Sequence, residues 1–189
     1  MGQLSMWSEM SKCYLQGEAI TLLEMLDARE KRVTIQQEFL QKYPTSALLS
    51  ATMNIPGPVK NNEQLRLAFL TVIKELESLF PPEKIAAGKQ RDLKTGSEYY
   101  LALNEAPEEL KRKVIEIEET HPLGRLMDLD VIYLKNHTCH SISRTELNYK
   151  PRTCFICEEE AKVCGRQRKH SVAEMQETIS QLIEKGKMK

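Results

Sequence analysis

The sequence predicts an α+β fold, a small and mostly antiparallel sheet flanked by helices. Three observations predict it. Apolar residues recur at helical spacing in long segments that stop at prolines. Two short β-prone runs, 84–91 and 97–103, are joined by a glycine-containing turn, and a third, 126–134, is followed after Lys135 and Asn136 by a polar run, 137–143. With 189 residues the chain fits one domain of ordinary size, expected over 17–189, after a loose leader at 1–16 that shows no clear period.

From Gly17 to Tyr43 the apolar positions Leu22, Leu23, Leu26, Val33, Ile35 and Phe39 sit among charges with no internal proline or glycine, which reads as a long amphipathic helix ended by Pro44. Ala47 to Ile55 is a short apolar run and reads as a buried strand, closed by Pro56, Gly57 and Pro58 in a rigid turn that carries Lys60. A second helix starts near Asn62. Leu65, Ala68, Phe69, Val72, Ile73, Leu76 and Leu79 keep helical spacing as far as Pro81 and Pro82. Lys94, Thr95 and Gly96 join the next two strands in a hairpin. Pro107, Glu108 and Glu109 open a third helix with Leu110, Val114 and Ile117 on one face, closed by His121 and Pro122. After the antiparallel pair, short helices near 158–165 and 171–184 finish the chain.

Composition narrows the function classes. Lys plus Arg and Asp plus Glu both number 27, so no global charge calls for nucleic acid or an anionic membrane. No apolar run is long enough to span a membrane, and the first residues lack the basic-then-apolar order of a secretory signal, so a cytoplasmic location is expected. Position 6 is Met where a myristoylation motif wants Ser or Thr. The five cysteines, Cys13, Cys139, Cys154, Cys157 and Cys164, are then expected to be reduced.

The most informative stretch is Gly124, Arg125, Leu126, Met127, Asp128, Leu129, Asp130. On a strand, alternate side chains share a face, so Asp128 and Asp130 point to one side. Two carboxylates that close repel unless a cation neutralises them, and hard oxygen ligands suit Mg²⁺. That is the chemistry of phosphoryl and nucleotidyl transfer, and a nucleotidyltransferase-like fold would go with it. Gly124 would let backbone amides approach a phosphate, and Arg125 would offer it a fork of donors. The bland reading of the pair is a solvated strand face.

Two further groups follow. Arg144, Lys150, Arg152, Arg166, Arg168, Lys169 and His170 gather enough charge to hold a diphosphate or triphosphate, although any one of them alone reads as soluble cover. Cys154, Cys157, Cys164 and His170 are a set that zinc would accept, but their spacing is not that of a standard finger or ribbon, and small buried thiols with a phosphate-binding histidine is the plainer reading. His121 and His137 read as structural or exposed. Glu98 and Glu146 are candidates for a third metal ligand.

Taken in order, His121, Pro122, Leu123, Gly124, Arg125, Asp128, Asp130 and Val131, then Ile142, Ser143 and Arg144, then Pro151, Arg152, Cys154, Cys157, Ala161, Cys164, Arg166, Arg168 and His170 resemble one family, the apo-citrate lyase phosphoribosyl-dephospho-CoA transferases. The likeness extends upstream to Asp27, Ala28, Arg29 and to Asn54, Pro56, Gly57, Pro58 and Lys60, so it covers roughly residues 18–185. Met127 departs from the aromatic residue frequent there, and Gly165 stands where a small residue is usual. The resemblance implies a transferase that attaches the prosthetic group of citrate lyase to its apo acyl carrier subunit. The donor would be 2'-(5''-triphosphoribosyl)-3'-dephospho-CoA, the acceptor a serine hydroxyl and the leaving group diphosphate. Asp128 and Asp130 would hold Mg²⁺, with Gly124 and Arg125 on the phosphate chain. Arg144, Arg152, Arg166, Arg168 and Lys60 would contact phosphate or the carrier. Competing readings are a related enzyme acting on another carrier, such as that of malonate decarboxylase, and a zinc-stabilised interaction module.

Overall fold

The computed structural model describes residues 16–187, so the expected leader lies almost wholly outside the described residues, as does Cys13. In chain order the elements are α1 (Leu22–Lys42), β1 (Ala47–Met53), α2 (Glu63–Ser78), β2 (Ile85–Leu93), β3 (Gly96–Leu103), α3 (Pro107–Thr120), β4 (Met127–Lys135), β5 (Thr138–Ser141), α4 (Ala161–Gln167) and α5 (Val172–Lys187). Short 3₁₀ turns sit at Pro82–Lys84, Gly124–Leu126 and Thr145–Leu147. The fold is α+β, as the sequence predicts. Its five strands form one antiparallel sheet in the order β2-β3-β1-β4-β5.

β1 is the central strand, with Leu49 opposite Leu101 on one side and Val131 on the other. That position explains its apolar run, because such a strand must bury both faces. Ala47, Leu49, Ala51, Leu101, Leu103, Met127, Leu129 and Val131 form the face covered by α2, α3 and α5. Leu48, Tyr100, Ala102 and Ile132 form the other face, covered by Ile35, Phe39 and Leu40 of α1. Beyond Ile132 and Leu48 this second face turns polar. Ser50 pairs with Asp130 and Thr52 with Asp128, and Gln36 of α1 donates to Ser50 Oγ at 2.9 Å.

The helices start and stop for local reasons. Thr21 and Glu24 form a reciprocal capping box on α1, and Asn62 accepts from Leu65 N to cap α2. Gly96 at φ +122° makes the β2–β3 turn, a conformation that L side chains rarely adopt. The tight β4–β5 turn instead uses Asn136 and His137, both at positive φ.

One expectation needs correction. α1 buries Ala28, Ile35 and Leu40, but Leu22, Leu23, Leu26 and Val33 are exposed. Only the C-terminal half of α1 lies on the sheet. Its N-terminal half overhangs a polar recess, lined by Met25, Arg29 and Arg32, where there is no apolar surface to receive leucines. Leu49 sits at the centre of the larger core and is fully buried. Leu49→Ala is expected to lower unfolding free energy by about 2–5 kcal/mol in urea titration.

Candidate functional site

The site begins with an incomplete sheet edge. β5 pairs only with Ile132 to Lys135, so the outward backbone groups of residues 127–131 have no partner strand. Four of these groups are closed from beyond β5. Ile142 N donates to Val131 O at 3.0 Å, Lys111 Nζ donates to Leu129 O at 2.8 Å, Leu129 N donates to Glu118 Oε1 at 3.1 Å, and Arg152 Nη2 donates to Met127 O at 2.7 Å. Lys111 and Glu118 lie seven apart on α3, two helical turns, and so share a face that leans over this edge.

Glu118 is the hub of this arrangement. It is 3 % exposed, and besides Leu129 N it meets two guanidinium groups. Arg144 donates through Nε at 3.2 Å and Nη2 at 3.0 Å, and Arg152 Nη2 forms an ion pair with Glu118 Oε1. Arg144 also binds Glu119 at 2.9 Å, and Arg152 Nη1 stands 3.8 Å from Asp128. Two arginines from the segment after the sheet are thereby fixed beside the aspartates.

Asp128 and Asp130 share the polar face of β4, two residues apart and so about 7 Å along the strand. Both residues reach solvent through a concave recess, with the Asp130 carboxyl set deeper among neighbouring groups than that of Asp128. Burial of the Asp130 carboxyl among its neighbours, then the negative charge of Asp128, raise its pKa above the usual aspartate range, opposed by Lys111. Lys111, buried on the opposite side, is pushed down from the ordinary lysine range by burial, while Glu118, Asp130 and Asp128 pull it back up. The charges form a layered set: carboxylates facing the recess, an ammonium behind them and guanidinium groups at the rim.

Asp128 lies where two recesses meet. The larger, about 680 Å³, is lined by Lys111, Glu118, Asp128, Asp130, Arg144 and Arg152, among others. The smaller, about 190 Å³, is lined by Arg29, Arg32, Lys60, Glu98 and Asp128 among others. Lys60 donates to Ile55 O, and burial, with Arg29 nearby, lowers its pKa. Lys111, Glu118 and Arg32 carry no sequence signal as site residues, since charged positions on a helix read as a solvated face. Arg29 stands among the residues of the family resemblance, and its place beside Lys60 gives it a reason.

The remaining candidates have other surroundings. Gly124 is buried, and a Cβ there would fall 2.1 Å from Ile117 O, so the absent side chain lets the 3₁₀ turn press on the end of α3. Arg125 donates to Thr153 O at 2.6 Å and Cys154 O at 3.4 Å and lies over the Phe155 ring at 5.4 Å. Its guanidinium holds the 153–155 loop. Arg166 and Arg168 are exposed and line neither recess. Glu98 does not serve as a free ligand, because it is buried between Arg32, Arg91 and Tyr100 OH. Glu146 accepts from Ser143 N at 2.8 Å and Ser143 Oγ, away from the pair. His121 is structural, its Nδ1 accepting from Leu123 N at 2.9 Å. Cys154, Cys157, Cys164 and His170 are brought together, their ligand atoms all within 4.8 Å of one another.

Paired carboxylates beside lysine and arginine, with Asp128 at the meeting of two recesses on an α+β sheet, are the arrangement expected of a transferase that handles phosphorylated groups. Comparison with known proteins gives the family. Residues 20–186 match the family model described as apo-citrate lyase phosphoribosyl-dephospho-CoA transferase. A Streptococcus pyogenes serotype M1 protein, a probable apo-citrate lyase phosphoribosyl-dephospho-CoA transferase, is 52% identical over 170 residues, 90% of this chain and 88% of its own length. An Escherichia coli O139:H28 protein named apo-citrate lyase phosphoribosyl-dephospho-CoA transferase is 31% identical over 167 residues, 87% of this chain and 89% of its own. The chain belongs to this transferase family. No described helix is long and apolar enough to cross a membrane.

Two substitutions test the scaffold of the site. Gly124→Ala is expected to cost about 1–3 kcal/mol in thermal or urea unfolding, since backbone and not a flexible side chain stands in the way of the new methyl. Glu118→Gln removes the shared anion of two arginines. The expected cost is about 3 kcal/mol, the low end for breaking a buried pair, because both guanidinium groups keep some contact with water. A Glu118→Gln protein as stable as the parent in urea would remove Glu118 from its place as hub.

Proposed function

We propose that this protein transfers the 2'-(5''-phosphoribosyl)-3'-dephospho-CoA group from its triphosphate precursor to a serine of the apo acyl carrier subunit of citrate lyase, releasing diphosphate. The observation that carries the reading is the position of Asp128 at the junction of two cation-lined recesses, with Asp130 beside it in the larger one. A triphosphate-bearing donor needs positive walls on both sides of its reacting phosphorus.

In the reaction a seryl oxygen forms a bond to the donor's α-phosphorus as the bond to diphosphate breaks, and the hydroxyl proton passes to solvent. Two carboxylate oxygens on one face, with room for water and phosphate oxygens, are the donor set that suits Mg²⁺. When bound there, Mg²⁺ supplies charge neutralisation on the phosphate chain and lowers the pKa of a coordinated hydroxyl. Arg144 and Arg152, held at fixed positions by Glu118, present their remaining N–H donors to the phosphate oxygens at the rim of the larger recess. Lys111 keeps the aspartates from repelling one another outright. Arg29 and Lys60 offer charge across Asp128 for the other end of the donor. Positioning and electrostatic stabilisation then supply most of the acceleration.

The test mixes the purified protein with Mg²⁺, triphosphoribosyl-dephospho-CoA and apo carrier, and follows carrier mass and diphosphate. Modification that requires metal is expected; an unmodified carrier with folded protein sinks the proposal. Asp128→Asn and Asp130→Asn should slow transfer by about two to three orders of magnitude, the usual cost of one preorganised electrostatic group.

Stability should respond oppositely for Asp130. A carboxyl whose folded pKa is raised contributes stability below its unfolded pKa and loses that contribution as pH rises through the folded value. Near neutral pH, in chelator, Asp130→Asn is therefore expected to match or exceed the parent in Tm. Adding Mg²⁺ should raise Tm for the parent and not for either variant, because only a protein that binds the ion gains from it.

A further inference from the structure

We infer that Cys154, Cys157, Cys164 and His170 form a structural zinc site, closed by four protein ligands, that anchors the Arg152 wall of the recess. Three features support it: the separations, the local backbone and the buried, unpartnered Nε2 of His170.

The Sγ atoms of Cys154 and Cys164 are 3.4 Å apart and those of Cys157 and Cys164 are 4.0 Å apart. With Zn–S bonds of about 2.3 Å, a tetrahedral ion holds its sulfurs about 3.8 Å from one another. The observed separations bracket that edge, and all four ligand atoms lie within 4.8 Å. Three thiols and an imidazole meeting at one point is the arrangement a shared tetrahedral ion would produce. His170 Nε2 is buried and has no hydrogen-bond partner, a costly condition for a ring nitrogen that a bond to a metal would relieve.

The backbone is built to make this convergence. Cys154 N donates to Glu159 O at 2.7 Å and Ala161 N donates to Arg152 O at 2.8 Å around a Thr153–Glu160 bridge. The result is a narrow loop carrying Cys154 and Cys157. Within it Ile156 N donates to Cys154 Sγ at 3.5 Å, the kind of bond that favours an anionic sulfur. α4 then begins at Ala161 and puts Cys164 one turn inside it. Arg168, at φ 51°, ends α4 in the left-handed region and reverses the chain, so that His170 returns to the sulfurs.

Three thiolates and one imidazole favour zinc over Mg²⁺ or Ca²⁺, which take oxygen ligands, and iron–sulfur clusters ordinarily use four cysteines. Four protein ligands leave no open position, so the ion is structural and not catalytic. Its effect reaches the recess by covalent connection. Arg152, two residues before Cys154, contacts Glu118 and Asp128, and Arg125 holds the carbonyls of Thr153 and Cys154. Ala161 and Lys162, between the second and third cysteines, line the larger recess.

The experiment measures metal content by elemental analysis of the full chain, purified in reducing buffer and dialysed without chelator. We expect one zinc per chain, released when a mercurial blocks the thiols. The protein reconstituted with Co²⁺ is expected to show the absorption of a tetrahedral cobalt site with thiolate charge-transfer bands. Cys157→Ser and His170→Asn should each lower zinc content. Cys139→Ser, which alters an exposed thiol on β5 away from the cluster, should leave it unchanged. His170→Asn keeps all three thiols, so it tests the ligand set even if Cys157→Ser fails to fold. Substoichiometric zinc with all three thiols freely reactive in the native protein, a disulfide between any two of them, stoichiometric iron, or zinc lost equally in Cys139→Ser would each overturn the inference. Because the readout is metal content, failure here and failure of carrier modification are separate results.

Discussion

The bare outer edge of β4 is the constraint around which the rest of the molecule is arranged. A strand whose outward amide and carbonyl groups have no partner must find one or lose free energy for each buried group left alone. This protein pairs β5 with only the far half of the edge and closes the near half with side chains from two separate segments, α3 and the stretch that carries Arg152. The solution also keeps other strands from adding there. It fixes the position of α3, because only residues two turns apart on one helix face can reach both the N–H and the C=O of Leu129. It also brings positive charge to the place where Asp128 and Asp130 leave the sheet. Closing the edge and building the site are therefore one event.

The energetics point to position as what this network secures. A buried glutamate with two arginines loses hydration that its Coulomb attraction roughly returns, and an apolar replacement of the same shape often folds as well or better. What an apolar group cannot do is hold two guanidinium forks at set distances from a carboxylate. The same holds for Asp130, whose charged form is disfavoured by its burial and by Asp128. Stability is spent at this strand, and the large cores on both faces of β1, with Leu48, Leu49 and Tyr100 fully buried, absorb the cost.

Much of this was legible in the chain. α2 could be read from its spacing because one face is buried along its whole length, and the β2–β3 hairpin because Gly96 must take a positive φ. The carboxylate pair was legible because strand alternation is a strict rule. The apolar spacing of α1 implies a wider buried face than it has: its period is helical, but periodicity does not say that the sheet ends beneath its first half. Lys111 and Glu118 were invisible for a related reason. In Leu110, Lys111, Arg112, Lys113, Val114 the charged residues look like a solvated flank, and only the tertiary position of the bare edge turns two of α3's charges inward. The Cys/His set has no standard spacing, so its meaning rested on a left-handed residue at Arg168 and a bridge across Thr153–Glu160, neither of which composition encodes.

The two metal sites we propose for this chain differ in ligand type, and that difference suits the proposed activity. Hard carboxylates open to solvent exchange Mg²⁺ readily with each substrate, whereas thiolates with imidazole hold zinc and have little affinity for Mg²⁺. A transferase whose substrate carries its own phosphate oxygens gains from a loosely held ion, since donor and metal complete one another's shells. In the proposed mechanism a rigid arginine rim favours donor binding, because a mobile guanidinium loses entropy on binding that a fixed one has already lost. The segment bearing Arg152 has no place in the sheet to make it rigid: it is attached through Arg125, through Glu118 and through the cysteine loop. A small closed metal site is an economical anchor for such a segment, since it fixes four points of the chain without a core to bury them. The proposed zinc site would thus stand where the Arg152 segment lies outside the sheet and is held by polar contacts, giving the recess wall a fixed anchor.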